Sequence, residues 1–223
     1  MKNKLIAGLA ALLFVFCAGF YVGHWTVPPS NVDPQKYLTT VFTPFEDGTK
    51  AYVDWLDEHG RNSLYVADYT FNNPVIIDKY VELKIKHKSD VHVLLDLSES
   101  RAVAAEQPAI DKLRAAGIEV VVGTSPQSGA IMHNKFSIAD GVWVEDGSWN
   151  YSDAADKQGN TLNFTKVPSP ERGAMFKGSW DKLHTFMVAQ TDRRDEKAKR
   201  QAEKAQQSGS ADDDSSRKRR RSR

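Results

Sequence analysis

The sequence predicts an α/β fold: a mixed β-sheet flanked by helices on both faces, preceded by an N-terminal hydrophobic helix. Three observations predict it. Between about Val41 and Ala189, apolar helical patterns alternate with short β-rich runs, as in βαβ units whose sheet is covered on both sides. From Lys135 onward the rhythm changes to two short runs about Asp140-Gly141, an antiparallel hairpin. At the start of the chain, Leu5 to Val22 is uncharged and mostly apolar.

That first element follows Lys2 and Lys4 and ends near Trp25 and the Pro28-Pro29 pair, the layout of a secretory signal or a signal anchor. Eighteen residues rising 1.5 Å each span about 27 Å, just enough for a hydrocarbon core of about 30 Å. The lysines hold the N-terminus in the cytoplasm, and Tyr21 and Trp25 suit the far interface. An uncleaved anchor and a cleaved signal both place the following domain outside the cytoplasm. The single cysteine, Cys17, lies in this stretch, so no intrachain disulfide forms. Bulky Phe16 before it argues against a lipid-attachment signal. Residues 1–27 are read as the signal segment and 28–40 as a linker.

The domain proper is expected over 41–190. Asp47-Gly48 opens a helix with Tyr52, Val53 and Leu56 on one face, stopped at Gly60. Ser63 to Tyr69 follows as a strand. Asn73 caps a helix with Pro74 at its first position, running through Ile76, Ile77, Tyr80 and Leu83. Val91 to Leu95 and Ile118 to Val122 read as buried strands around an Ala-rich helix closed near Gly117. Lys135 to Ala139 and Val142 to Glu145 form the hairpin. A short helix near Ser152 to Lys157, a strand over Leu162 to Thr165 and an amphipathic helix over Ala174 to Val188 complete it.

Residues 191–223 are read as a charged, largely disordered tail, in which Arg193 to Gln207 fits a charged single helix and Ser208 to Arg223 is expected to be disordered. From Asp192 it holds twelve Lys/Arg against seven Asp/Glu, a surplus of +5, which leaves about −4 on the preceding 191 residues of a chain that sums to +1. The run Arg217-Lys218-Arg219-Arg220-Arg221 reads as a solvated tail or as a salt-sensitive tether to nucleic acid or anionic headgroups. Export argues against nuclear import.

The chemistry is concentrated in one stretch. His133-Asn134-Lys135 is followed by Asp140 after four residues and by Gly147-Ser148-Trp149-Asn150 after six more. Six fixed residues in register match by chance about once in tens of millions of starting points, at roughly one-in-twenty usage each. Singly, Lys135 reads as a surface lysine, Asp140 as a turn residue and Gly147-Ser148 as a loop. Together they do not.

This pattern, HxK(x4)D(x6)GSxN, resembles that of the phospholipase D superfamily. With "LYVADYTFNNPVI" and "VHVLLD" upstream, the region from Thr43 to Met187 resembles the small single-motif bacterial endonucleases of the Nuc type. It is also similar to the mitochondrial single-motif members, but shows no Cys/His zinc-like element. The resemblance implies a phosphodiesterase that needs no metal or cofactor. His133 is then the nucleophile, forming a covalent phosphohistidine, and a second histidine is general acid and later base. Lys135 and Asn150 hold the nonbridging oxygens. Ser148 hydrogen-bonds on the phosphate side, and Asp140 organises the site from behind, with Gly147 and Asn160 as further supports. His133 and Lys135, two apart, are expected on one strand face.

One motif supplies one histidine and the mechanism needs two. His87, His92 and His184 lack companion motif residues, so the expectation is a homodimer with His133 of two subunits facing across a two-fold axis. In one respect the sequence departs from the Nuc pattern, which carries a Glu shortly after GSxN to orient the histidine. Here Gly159-Asn160-Thr161-Leu162-Asn163 holds no acid. Asn160 is the replacement acceptor, with Asp153 and Asp156 as alternatives. Trp149 and Tyr151 read as core more readily than as base-stacking residues. The substrate expected from the resemblance is DNA or RNA, with phospholipid second and a weakly active or inactive nucleic-acid tether third.

Overall fold

The computed structural model describes the backbone of residues 36–221 and the side chains of residues 36–202. The apolar N-terminal run, Cys17 and residues 28–35 of the expected linker lie outside the described residues, as do the side chains of the Arg217–Arg221 cluster. Among the described residues, no helix is long and apolar enough to cross a membrane.

Seven strands make one mixed sheet: β1 Leu38–Thr43, β2 Ser63–Asp68, β3 Asp90–Asp96, β4 Glu119–Gly123, β5 Lys135–Ala139, β6 Trp143–Gly147 and β7 Asn160–Thr165. Their spatial order is β1-β7-β6-β5-β2-β3-β4. β2, β3 and β4 are parallel. Every other neighbouring pair is antiparallel.

Local chemistry explains the helices. In α1, Gly48–His59, Asp47 accepts from the Lys50 amide at 2.8 Å, and the Gly60 amide closes the helix on the Leu56 carbonyl. In α2, Pro74–Glu82, Asn73 caps the Val75 and Ile76 amides and Pro74 sits where its missing N–H costs nothing. A π-helical turn, Leu83–His87, ends it at Lys88 in the left-handed region, φ 61°. In α3, Leu97–Ala102, Asp96 caps the Ser98 and Glu99 amides. The Ala-rich helix is α4, Glu106–Ala115.

Helices α1, α2 and α4 cover one face, where Tyr52, Leu56, Ile76, Tyr80 and Leu113 pack on Leu64, Val66 and Val93. The last helix, α5 Pro170–Arg221, covers the other, where Trp180 and Met187 pack on Ala67, Leu94, Phe136 and Ile138. Alternate residues of β2 thus enter opposite cores, as the strand period requires. Inside the first core runs a chain of buried polar groups: Tyr80 Oη to Tyr52 Oη at 2.6 Å, Tyr52 Oη to Ser137 Oγ at 2.5 Å, Ser137 Oγ to Tyr151 Oη at 2.7 Å, and Tyr151 Oη donating to Glu145 Oε2 at 2.5 Å. Burial holds the Glu145 carboxyl well above the usual carboxylate range.

Three elements differ from expectation. β1 occupies Leu38–Thr40 of the expected linker; its β-branched Thr and Val residues pair with β7, and Thr40 Oγ1 donates to Asn163 Oδ1 at 2.8 Å. The helix after the motif is a single 3₁₀ turn, Ala155–Lys157. At the C-terminus the last helix, α5, starts four residues early, with Pro170 following a Ser169 cap, joins the charged helix expected over 193–207 without a break, and continues to Arg221 through residues expected to lack structure. Docking explains part of this extension: Arg194 donates to the Val122 carbonyl at 2.7 Å, six residues past the expected end.

Candidate active site

Strand direction decides what can meet. The carboxyl ends of β1, β2, β3, β4 and β6 and the amino ends of β5 and β7 share one edge of the sheet. Ligands of α/β sheets bind at such carboxyl ends, beside the point where strand order reverses. The hairpin register, Phe136 opposite Asp146, sets Lys135 beside Gly147 at this edge. The two halves of the motif therefore converge because they lie at matching ends of one hairpin.

Asp140 does not join them. It sits in the β5–β6 turn with φ 50°, next to Gly141 at φ 71°, the positive pair that an Asp-Gly hairpin turn requires. Five residues of strand separate it from Lys135, roughly 17 Å at 3.4 Å each. Its carboxylate accepts from the Asn62 amide at 3.0 Å, the Ser63 amide at 2.9 Å and Asn62 Nδ2 at 2.6 Å, fastening the turn to the start of β2. The expected catalytic-site role of Asp140 is corrected to that of a hairpin anchor. Asp140→Ala is expected to cost about 1–3 kcal/mol in chemical denaturation, through lost hydrogen bonds and left-handed strain. Turnover by the folded fraction should stay within a few-fold of wild type.

His133 lies in the loop ahead of β5, exposed, rather than on the strand face with Lys135. Its position is set from two sides. The preceding Met132 is buried, and its amide donates to Asp96 Oδ2 at 2.7 Å. The imidazole packs on the ring of Tyr69, centroids 4.5 Å apart and planes tilted by 59°. Partial burial and then the Lys135 charge lower the imidazole's pKa below its ordinary 6.5, opposed by Asp96 and Glu99.

Lys135 is only 8% exposed. Its Nζ donates to the His133 carbonyl at 3.1 Å and stands 5.0 Å over the Tyr69 ring. Burial pulls its pKa down, while Asp68 and Glu99 push it up. Asp68, directly opposite Lys135 in the β2–β5 register, is fully buried and accepts from the Tyr151 amide at 3.1 Å. It ties β2 to the residue following Asn150.

Gly147 allows β7 to approach: a Cβ there would stand 2.0 Å from the Thr161 carbonyl oxygen. The Ser148 amide donates to that oxygen at 3.0 Å, and Ser148 Oγ accepts from the Thr161 amide at 3.0 Å and donates to Asn160 Oδ1 at 3.3 Å. Asn160 also donates from Nδ2 to the Ala155 carbonyl at 3.1 Å. Its amide thus braces Ser148 rather than His133. Asp156 is spent on the Thr49 amide and hydroxyl and on Trp149 Nε1, and Asp153 meets Asn72 through its backbone amide. Neither replaces the acid missing from 159–163. Asn150 Oδ1 is buried without a hydrogen-bond partner. Trp149 and Tyr151 are completely buried, so both are core.

The residues that sequence reasoning missed are Asp68, Tyr69, Asp96 and Glu99. The signal was there: each acid or aromatic stands at or just beyond the carboxyl end of an apolar strand. Among the described histidines, only His133 lies at this edge. His92 and His184 share Glu119 at the opposite end, at 2.6 and 3.1 Å, and His59 stacks on Trp143. No group of three or more potential metal ligands occurs among the described residues.

Comparison with known proteins bears on the family and the fold. A family model described as cardiolipin synthase, PLD-like domain, matches residues 58–169. The mitochondrial cardiolipin hydrolase of Chlamydomonas reinhardtii is 33% identical over 132 residues, 59% of this chain and 55% of that protein, so the chain matches about half of its length. A phospholipase D of Rickettsia bellii is 29% identical over 167 residues, covering 72% of this chain and 78% of its own. Among solved structures, Nuc of Salmonella typhimurium, a phospholipase D family member, superposes with a TM-score of 0.59 at 23% identity over 65% of this chain and 91% of Nuc. NucT from Helicobacter pylori gives 0.58 at 20% identity over 68% and 95%. The folds are the same.

Proposed function

The chain belongs to the phospholipase D superfamily; from that premise we propose that it is a phosphodiesterase, an exported, homodimeric endonuclease that hydrolyses DNA and RNA through a phosphohistidine at His133. The observation that carries the reading is the convergence of His133 and Lys135 with Ser148 and Asn150 at one sheet edge, with the imidazole exposed and its pKa lowered.

In the first step a neutral His133 ring nitrogen attacks phosphorus. The P–O bond to the leaving oxygen breaks, and that oxygen takes a proton from the imidazolium of His133 in a second copy. In the second, the now neutral imidazole of that copy takes a proton from water as the water oxygen attacks phosphorus, and the P–N bond breaks. Lys135, whose ammonium is held at the edge by the His133 carbonyl, neutralises the nonbridging oxygens, and Asn150 orients them by donating from Nδ2. One described histidine at the site makes a second copy the economical source of the acid. Facing sites across a two-fold axis supply it.

Support for nucleic acid comes from the likeness to the Nuc type and from the basic run Arg217–Arg221. A second reading, phospholipid hydrolysis, is favoured by relatives named cardiolipin hydrolase and phospholipase D and by the apolar N-terminal segment. Purified dimer incubated with plasmid and with phosphatidylcholine or cardiolipin vesicles, beside His133→Ala, separates them. Plasmid nicking lost in the variant is expected; phosphatidic acid release without nicking would transfer the assignment to lipid. Binding without turnover by either protein would make the chain a tether. Full activity from a species that sediments as a monomer would overturn the shared site.

A further inference from the structure

The acid absent from residues 159–163 has a counterpart elsewhere. Glu99 reaches the site edge on the first turn of α3, placed there by the Asp96 cap. Its carboxylate accepts from Tyr69 Oη at 2.8 Å through Oε1 and from Thr70 Oγ1 at 3.1 Å through Oε2. The clamped Tyr69 offers its ring to both His133, at 4.5 Å, and Lys135 Nζ, at 5.0 Å.

We propose that Glu99 and Tyr69 form the positioning pair for His133, with Glu99 acting through the tyrosine in place of the acid that the 159–163 stretch lacks. The proposal rests on His133 being the nucleophile. Two physical effects carry it. A hydroxyl donating to a carboxylate enriches its ring in electron density, and a ring face attracts a nearby cation. As His133 gains positive charge on accepting a phosphoryl group or a proton, the Tyr69 face steadies it without a direct carboxylate contact. Clamping residues 69 and 70 together also fixes the ring against which the imidazole is oriented. Asp96 adds to the same field while holding the Met132 amide, and Lys135 opposes it.

The signs follow. Removing the Glu99 charge takes away a group that favours imidazolium, so the His133 pKa falls further. With one copy needed neutral and the other protonated, both limbs of the pH–rate profile move to lower pH.

The test is histidine-selective NMR titration of full-length protein, with the His133 signal assigned by its absence in His133→Ala, alongside nuclease pH profiles. Glu99→Gln should lower the His133 pKa, shift the bell toward acid, and reduce kcat about ten- to a hundredfold, below the full effect of a direct acid or base, with KM nearly unchanged. Tyr69→Phe keeps the ring and cuts the link, so it should shift the titration the same way. Either variant titrating like wild type, whatever its activity or melting temperature, overturns the proposal. Should Glu99→Gln fail to fold, Tyr69→Phe decides alone. Cleavage persisting in His133→Ala would instead defeat the proposed function, while the titration would still report the coupling.

Discussion

His133→Ala is expected to lose phosphodiester cleavage by at least about 10⁴-fold, with kcat falling and substrate binding retained. No other described histidine lies at the site edge, so no neighbour substitutes as nucleophile. The side chain is exposed, so unfolding free energy should stay within about 0.5 kcal/mol of wild type. The wild-type pH profile is part of the same expectation. The histidine's pKa lies below 6.5, lowered first by partial burial and then by Lys135. Neutral nucleophile therefore persists into mildly acidic buffer, and the protonated partner is lost earlier as pH rises. The bell should be centred on the acid side of 6.5. Single-turnover rates between pH 4.5 and 8.5 measure it. A profile still rising above pH 7, or a variant that keeps its rate, would remove His133 from the chemistry.

Gly147→Ala is expected to be among the most damaging small changes in the domain. The added carbon would stand 2.0 Å from the Thr161 carbonyl oxygen and 2.9 Å from its carbon, both backbone atoms that cannot rotate away. β6 and β7 would have to part at the site edge, breaking the Ser148–Thr161 pair and displacing Asn160 and Asn150. A cost of about 3 kcal/mol and loss of activity follow. Gly159→Ala is the control, with nothing within 4 Å of the new carbon. Thermal melts of the two variants compare them directly; equal melting temperatures would refute the close-approach account of the glycine.

Sequence legibility followed the range of the forces involved. Caps at Asp47 and Asn73, the Asp140-Gly141 turn and the apolar runs of β2 to β5 are local, and each was readable within a few residues. The motif was readable because six residues in register exceed any chance match. Asp140 shows the limit. Membership of a motif said nothing about distance, and only the hairpin register sends it to the far end of β5. β1 was missed because a short edge strand, half of whose residues are Thr, lacks a continuous apolar run. Asp68 and Glu99 were missed for another reason: a carboxylate in sequence looks solvated until the parallel strands beside it bury or aim it. Trp149 and Tyr151 read as core from the sequence, and the structure buries both.

The paired ends of β6 and β7 have a kinetic consequence. Asn160, which braces Ser148, donates its backbone amide to Thr43 Oγ1, 117 residues earlier in the chain. Contacts that close so long a loop lose the most chain entropy and form late when a protein folds. The histidine half, set by β2, β3 and β5, can order before that closure. The Ser148 half of the site therefore depends on closing a longer loop than the His133 half does. Catalytic competence would mark the last event of folding rather than the first sign of compactness.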